Sequence, residues 1–306
     1  MKTLISKIPG SLLIAFAAIL WGTDSLVRDP LSKVFSPVIL VWLEHLTGLL
    51  FIAPWVLKRH PKDLFSLKWK EWIAVIFFGV GGSALAGIFY TASIQFAGPA
   101  VSILIIKLQP LFVLGTASIV LKEKAKNNLF PWAGIALVSA FVLSFPELDF
   151  SFISKGFTSY ARGVFFAFLA MALWGFSTVA GKYFLYRHSP SVGVFWRWVT
   201  ASLSLGFIAY LNQEFYIPLD LVFTRKVLPY LLYLGSVAGV VSMGIYYAGL
   251  KKIPASVATF IELIYPLAGV ILNVAFLDSQ LSGIQVLAAV LLFVSILLIM
   301  IPKTKS

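Results

Sequence analysis

The chain has 306 residues, of which 60% are hydrophobic and only 12% are charged, and its mean hydropathy is +0.95. Soluble domains carry roughly 25% charged residues, so this composition excludes a soluble protein and indicates an integral membrane protein that faces lipid. The net charge of +12 does not point to nucleic acid, and the absence of cysteine excludes disulfides and thiolate metal sites.

The apolar segments predict an all-α integral membrane fold, since a spanning helix needs roughly 20 mostly apolar residues. The first apolar segment follows Lys2 and Lys7 as in a signal peptide, but a later segment repeats it, so we expect it to be retained. We predict ten transmembrane helices, near residues 10–29, 35–57, 71–95, 99–121, 128–146, 160–184, 190–212, 227–250, 254–276 and 281–301.

The basic residues predict the orientation, because cytoplasmic loops carry an excess of Lys and Arg. With the N-terminus inside, sixteen of the 24 Lys and Arg residues lie on the cytoplasmic side and six lie outside, while Lys107 and Arg197 fall within spans. The sequence therefore predicts a multi-pass protein of a cell membrane, above all a bacterial inner membrane, with both termini in the cytoplasm.

An ordered series of short motifs occurs twice along the chain. The motifs come from four pairs of predicted spans and keep their order, which a chance match of one tripeptide would not do. They are Leu20-Trp21-Gly22 with Leu173-Trp174-Gly175, Ser36-Pro37 with Ser189-Pro190, Gly87-Ile88 with Gly244-Ile245, Tyr90 with Tyr247, Pro99-Ala100 with Pro254-Ala255, and Pro110-Leu111 with Pro266-Leu267.

The repeat predicts two five-helix halves, residues 1–146 and 160–306, joined by an external linker at 147–159. Since five is odd, the second half must enter the membrane the other way up. Inverted repeats occur in secondary transporters, where two related halves give outward-open and inward-open states. The alternative is a duplication that serves folding alone.

The duplicated layout resembles the drug/metabolite transporter superfamily, in its EamA-domain branch. The matching motifs are the two Leu-Trp-Gly triplets, Gln109-Pro110, Tyr265-Pro266 and the acidic Glu123 after the fourth span. Lys122-Glu123 and Leu277-Asp278 stand where the family often has Gly-Glu. The resemblance implies a central cavity between the halves, alternating access, and small polar or amphipathic metabolites as cargo.

Four ionisable residues lie inside predicted spans, where charge is costly and marks a cavity or an ion pair. Glu44, Lys107, Arg197 and Glu262 each follow a span start by about eight residues, roughly 12 Å, near the midplane of the bilayer. They predict either two ion pairs, Glu44 with Lys107 and Arg197 with Glu262, or a cavity that binds a charged or zwitterionic cargo.

Prolines and aromatic residues complete the predicted substrate-binding set. Pro110 and Pro266 each remove a backbone hydrogen bond within a span, leaving the carbonyls of Ile106 and Glu262 to face a cavity at a static kink or a hinge. Trp21, Trp174, Tyr90 and Tyr247 recur in the repeat and are candidates to stack on cargo, or to pack in the membrane.

The function predicted from these features is secondary transport of a small zwitterionic metabolite, such as an amino acid or its derivative, by an exporter or exchanger. A proton or a counter-substrate is a further partner left open, as is the oligomeric state. No cofactor or metal is predicted, and no P-loop indicates direct use of ATP. A passive channel and an intramembrane enzyme are the alternatives, although the sequence has no recognisable catalytic motif.

The predicted orientation can be tested by cysteine labelling, since the chain has no cysteine of its own. A single cysteine placed within residues 61–68 should react with an impermeant maleimide only from the cytoplasmic side, and one within 147–159 only from outside. Labelling of the first position in intact cells would contradict the orientation.

Overall fold

The fold is all-helical. The computed structural model describes residues 7–125, 127, 129–144, 157–214, 219–277 and 282–300, and these form no strand. Residues 147–156 of the predicted linker lie outside the described residues, whereas its last three residues already belong to a helix.

In chain order the elements are α1 (Gly10–Gly22), α2 (Asp24–Ser32), α3 (Pro37–Arg59), α4 (Pro61–Leu64), α5 (Trp69–Ile76), the π-helix π1 (Phe77–Leu85), α6 (Ala86–Ile106), α7 (Gln109–Val120), α8 (Leu129–Ser144), α9 (Phe157–Leu185), α10 (Pro190–Leu211), α11 (Leu219–Val222), α12 (Leu228–Tyr233), the π-helix π2 (Leu234–Val241), α13 (Ser242–Lys252), α14 (Ala255–Ile261), α15 (Ile264–Leu277) and α16 (Gly283–Met300).

Six helical segments are long and apolar enough to cross a membrane, by length and composition. Four further apolar helices are shorter than a full crossing. Multiple membrane helices are therefore established, while the number ten stays a prediction. The six are Pro37–Arg59, Trp69–Ala97, Tyr160–Leu185, Pro190–Leu211, Leu228–Lys252 and Gly283–Met300; the four are Gly10–Gly22, Gln109–Val120, Leu129–Leu143 and Ala255–Ala268.

The repeated Ser-Pro motif begins a long helix each time. Ser36 is the N-cap of α3 and accepts a hydrogen bond from the amide of Ile39 at 3.4 Å, with Pro37 in the first turn. Ser189 is the N-cap of α10, and Pro190 again follows it. Proline suits the first turn because its missing N–H would have no helical partner there.

The repeated Pro-Ala motif, in contrast, does not act alike in the two places, which corrects the predicted boundary between the third and fourth spans. Pro254 is the N-cap of α14, and Ile253 before it is extended. Around Pro99 the helix α6 continues without a break. A proline inside a helix removes one hydrogen bond and strains the turn before it, but it need not end the helix.

The contacts between helices come in matched sets across the two predicted halves. Helix α1 packs against α13, and its repeat counterpart α9 packs against π1 and α6. Helix α3 packs against α10, and α8 against α16. Each of these contacts joins the first predicted half to the second, so the halves interlock along their length.

A close crossing of two helices occurs where π2 meets α3. A Cβ atom built on Gly235 would lie 2.7 Å from the amide nitrogen of Gly48 and 2.8 Å from Cβ of Thr47. Only glycine fits there. Close approach of this kind lets helices associate in lipid, where burial of apolar surface gives little driving force.

We expect Gly235→Ala to destabilise the protein by about 1–3 kcal/mol, because the added methyl group overpacks this crossing. Gly244→Ala is the matched control, since a Cβ atom there meets nothing within 4 Å and alanine favours the helix by up to about 1 kcal/mol. Thermal unfolding of the purified variants in detergent measures the difference. Equal midpoints would show that the crossing tolerates a side chain.

Candidate functional site

A cavity of about 640 Å³ lies between two interrupted helices. The first interruption separates α6 from α7 at Lys107 and Leu108, and the second separates α14 from α15 at Glu262 and Leu263. Both Lys107 and Glu262 line this cavity. Ligand pockets commonly measure roughly 300–1,000 Å³, so the cavity has the size of a small-molecule site.

The prolines stand just after each interruption and also line the cavity. Pro110 is in the first turn of α7, where the amide of Leu111 bonds to the carbonyl of Leu108 at 3.0 Å. At the second interruption the carbonyl of Glu262 accepts from the amide of Tyr265 at 2.9 Å. The expectation that Pro266 frees this carbonyl is therefore wrong, because a tighter turn supplies a donor.

The two charged groups at the interruptions differ in their partners. The Glu262 carboxylate accepts a hydrogen bond of 2.7 Å from the Tyr246 hydroxyl. Among the described residues, none accepts a hydrogen bond from the Lys107 ammonium or forms an ion pair with it. The cavity thus presents a cation without a described protein partner and an anion with one neutral partner.

Arg197 also borders the cavity but is held by the protein. Its guanidinium donates to the Ser177 hydroxyl at 2.8 Å and to the Tyr247 hydroxyl at 3.2 Å, and the residue is 8% exposed. Neither predicted ion pair, Arg197 with Glu262 or Glu44 with Lys107, occurs among the ion pairs of the described residues.

Glu44 lies away from the large cavity and pairs with a residue that the sequence analysis did not consider. Its carboxylate accepts from Arg28 at 2.8 Å, and Arg28 also binds Asp24 at 2.6 and 3.0 Å. This cluster borders a second chamber of about 190 Å³ that shares Trp21 and Arg197 with the large cavity. The first predicted span is interrupted at Thr23, and Arg28 lies in the short helix α2 that follows.

Aromatic rings face the cavity in two pairs, each of one tryptophan and one tyrosine. Trp21 lies 5.1 Å from Tyr246, and Trp174 lies 5.5 Å from Tyr90, both between ring centroids. Each pair takes one ring from each predicted half. Trp174 is fixed further by a hydrogen bond from its indole nitrogen to the carbonyl of Gly82 at 3.0 Å.

Nine of the ten predicted residues therefore border one cavity, all except Glu44. Sequence reasoning missed several further lining residues. Tyr246 and Tyr265 adjoin predicted residues in sequence, but nothing in a single sequence separates a cavity-facing ring from a lipid-facing one. The missed polar and aromatic residues are Gln109, Ser177, Thr178, Tyr246, Thr259 and Tyr265.

The sequence matches the EamA-like transporter family twice, at residues 8–145 and 161–301. The chain belongs to this family. It is 27% identical to the riboflavin transporter ImpX of Fusobacterium nucleatum over 295 residues, which cover 95% of this chain and 97% of that protein.

Other relatives of this EamA-like transporter are named more generally. The uncharacterized transporter YwfM of Bacillus subtilis is 26% identical and covers 94% of this chain and 93% of its own length. The uncharacterized inner membrane transporter YhbE of Escherichia coli K12 is 26% identical over 60% of this chain and 57% of its own length. A crystal structure 20% identical in sequence shows the same fold, with a TM-score of 0.76 over 94% of this chain and 96% of that one.

Family, relatives and membrane helices together make this chain a membrane transporter of small molecules. Names of the relatives favour transport over catalysis. The roles of the individual cavity residues stay a prediction.

The partners of the charged residues predict different effects of neutralising them. Lys107→Met and Glu262→Gln should lower uptake in vesicles while leaving the amount of folded protein nearly unchanged, since neither group pairs with a charged residue. Glu44→Gln should instead lower the unfolding temperature, because it removes a charge-assisted hydrogen bond, typically about 1.5–3 kcal/mol when buried and less here because Arg28 is partly exposed.

Uptake assays and thermal unfolding of the same three preparations distinguish these effects. Normal uptake by both Lys107→Met and Glu262→Gln would contradict a role for the two charges in binding. Loss of folded protein in both would mean that they stabilise the fold instead.

Proposed function

We propose that this transporter moves a small, flat, aromatic metabolite with several hydrogen-bonding groups, and that riboflavin is the first candidate. The observation that carries this proposal is the pair of aromatic contacts, Trp21 with Tyr246 and Trp174 with Tyr90, on the wall of one cavity. Aromatic rings bind flat ring systems by stacking, typically about 0.5–1.5 kcal/mol beyond the area buried.

The polar groups of the cavity suit such a cargo as well. Riboflavin combines a flat ring system that has amide-like donors and acceptors with a hydroxylated chain. Lys107 offers donors, the Glu262 carboxylate offers acceptors, and Gln109 offers both. Similarity to the riboflavin transporter ImpX over nearly the whole chain supports this choice.

A zwitterionic cargo, such as an amino acid, is the second candidate. It is favoured by the presence of Lys107 and Glu262 on the same cavity, since an ammonium and a carboxylate would complement the two ends of a zwitterion. Aromatic amino acids would satisfy both the charges and the rings.

The mechanism we propose is alternating access of two inverted five-helix halves. Helices interrupted near mid-depth, with a binding cavity between repeats, are features of this mechanism. The matched contacts α1 with α13 and α9 with α6 support the inverted repeat, and so does the double match to the family. In this arrangement Pro110 and Pro266 are hinges, and both termini are cytoplasmic.

The test is uptake of labelled riboflavin into proteoliposomes, with tryptophan as the zwitterionic comparison. For a carrier, uptake should saturate with concentration, and unlabelled cargo on the far side should accelerate it, because the loaded form reorients faster than the empty form. A linear rise without acceleration would favour a passive channel. Saturable tryptophan uptake that riboflavin does not inhibit would replace riboflavin by the second candidate.

The aromatic wall can be tested in the same assay. Trp21→Ala should lower the apparent affinity for riboflavin roughly two- to tenfold, as expected for loss of one stacking contact, while Trp21→Phe should keep most of it. Trp55→Ala is the control, since Trp55 is 45% exposed on the outer surface of α3. Equal affinities in all three variants would place the cargo away from Trp21.

A further inference from the structure

The second chamber, of about 190 Å³, adjoins the large cavity and takes no part in the function proposed above. Its volume is below the roughly 300–1,000 Å³ of pockets that enclose a whole small molecule. Trp21, Arg197, Met243 and Tyr265 line both spaces and so form the boundary between them. The chamber therefore has room for one part of a ligand whose remainder lies in the large cavity.

The charged groups in the wall of the chamber pair with one another but retain hydrogen-bonding capacity. The Arg28 guanidinium donates to Asp24 from Nε and Nη2, and to Oε2 of Glu44 from Nη2. These bonds leave Oε1 of Glu44 and Nη1 of Arg28 without a partner among the described residues. The wall thus has an unused acceptor on a carboxylate and an unused donor on a guanidinium.

His45 adds an acceptor to the same wall. The residue is 5% exposed, and its Nδ1 lies 2.7 Å from the Val41 carbonyl oxygen, a contact that requires a proton on Nδ1. In a neutral ring Nε2 is then an acceptor, and none of the described residues donates to it. The Ser83 hydroxyl donates to the carbonyl of Phe78 at 3.4 Å and can still accept a hydrogen bond.

This mixture of unused donors and acceptors suits hydroxyl groups. Each hydroxyl group both donates and accepts, and it rotates to suit its partners, so a chain of them can satisfy donors and acceptors in the same wall. Hydrogen bonds to ionised groups such as Arg28 and Glu44 are roughly twice as strong as those between neutral groups. A flexible polyhydroxyl chain therefore complements this chamber better than a flat ring system does.

We propose that the second chamber binds a hydroxylated chain of the cargo, while the large cavity binds its flat ring. The chamber is then the subsite that distinguishes a flavin with a polyhydroxyl chain from the same ring without one. Riboflavin has such a chain on a ring nitrogen, whereas lumiflavin has a methyl group there. The proposal rests on the flat aromatic cargo proposed above.

The experiment compares the binding of riboflavin and lumiflavin to the purified transporter in detergent, followed by flavin fluorescence. Riboflavin should bind at least about tenfold more tightly than lumiflavin, a difference of about 1.4 kcal/mol, because only its chain reaches the second chamber. This comparison uses the unaltered chain, so it does not depend on the folding of any variant.

A variant that fills the chamber locates the chain. Ser83 lines the second chamber but not the large cavity, so Ser83→Leu should weaken riboflavin binding at least about tenfold and change lumiflavin binding by less than about twofold. Ser118→Leu is the matched control, since Ser118 is exposed on α7 and lines neither space. It should bind both flavins as the unaltered chain does.

If Ser83→Leu does not fold, His45→Phe removes the acceptor nitrogen and keeps a planar ring beside Trp198, whose ring centroid is 5.1 Å away. It should weaken riboflavin binding about threefold or more and leave lumiflavin binding unchanged, as expected for loss of one hydrogen bond.

Equal affinity of the unaltered chain for the two flavins would overturn the subsite alone and leave the flat aromatic cargo in place. Unchanged riboflavin affinity in Ser83→Leu, or an equal loss for both flavins, would also overturn it, because the chain would then lie elsewhere. Binding of neither flavin would instead reject riboflavin as the cargo, and the subsite with it.

Discussion

An unpaired backbone amide or carbonyl inside a bilayer costs several kcal/mol, so a membrane helix can be interrupted only where protein or water satisfies the exposed groups. This constraint ties the two interruptions, at Lys107 and at Glu262, to the cavity that they border. Pro110 and Pro266 stand just after the two interruptions, and neither can donate a backbone hydrogen bond, so the helical hydrogen bonding is already incomplete there. A charged residue at each interruption therefore borders the same cavity.

The buried charged groups differ in the partners that stabilise them. Asp24, Arg28 and Glu44 form a cluster that needs no cargo. Arg197 donates hydrogen bonds to two neutral hydroxyl groups, which hold its position. Lys107 has no such partner among the described residues, and Glu262 has only the Tyr246 hydroxyl. A group with unused hydrogen-bonding capacity is the one from which a ligand gains most on binding.

Much of this could be predicted from the sequence because charge and proline within an apolar segment are local signals. Lys107, Glu262 and the prolines stand out on composition alone, and the repeat links Trp21 to Trp174. The partner of a buried charged residue, in contrast, cannot be identified from the neighbouring sequence. The partner of Glu44 is Arg28, which lies in the short helix after Thr23, and no motif in the sequence links the two positions.

Equivalent positions in the repeat also need not have the same local structure. Pro99-Ala100 and Pro254-Ala255 are the same dipeptide, yet only the second begins a new helix. His188 lies in the turn between α9 and α10, yet its Nδ1 pairs with the Asp63 carboxylate, 125 residues earlier. No spacing rule connects such positions, so their meeting is a consequence of the three-dimensional packing.

The opposite charges at the two interruptions have a consequence for the energetics of the membrane potential. Moving one elementary charge through the whole field is worth about 2.3 kcal/mol per 100 mV. Under the alternating access proposed above, Lys107 and Glu262, both ionised and shifting together, contribute opposite amounts of electrical work, which cancel. For a neutral cargo, these two residues then give that proposed movement no dependence on voltage.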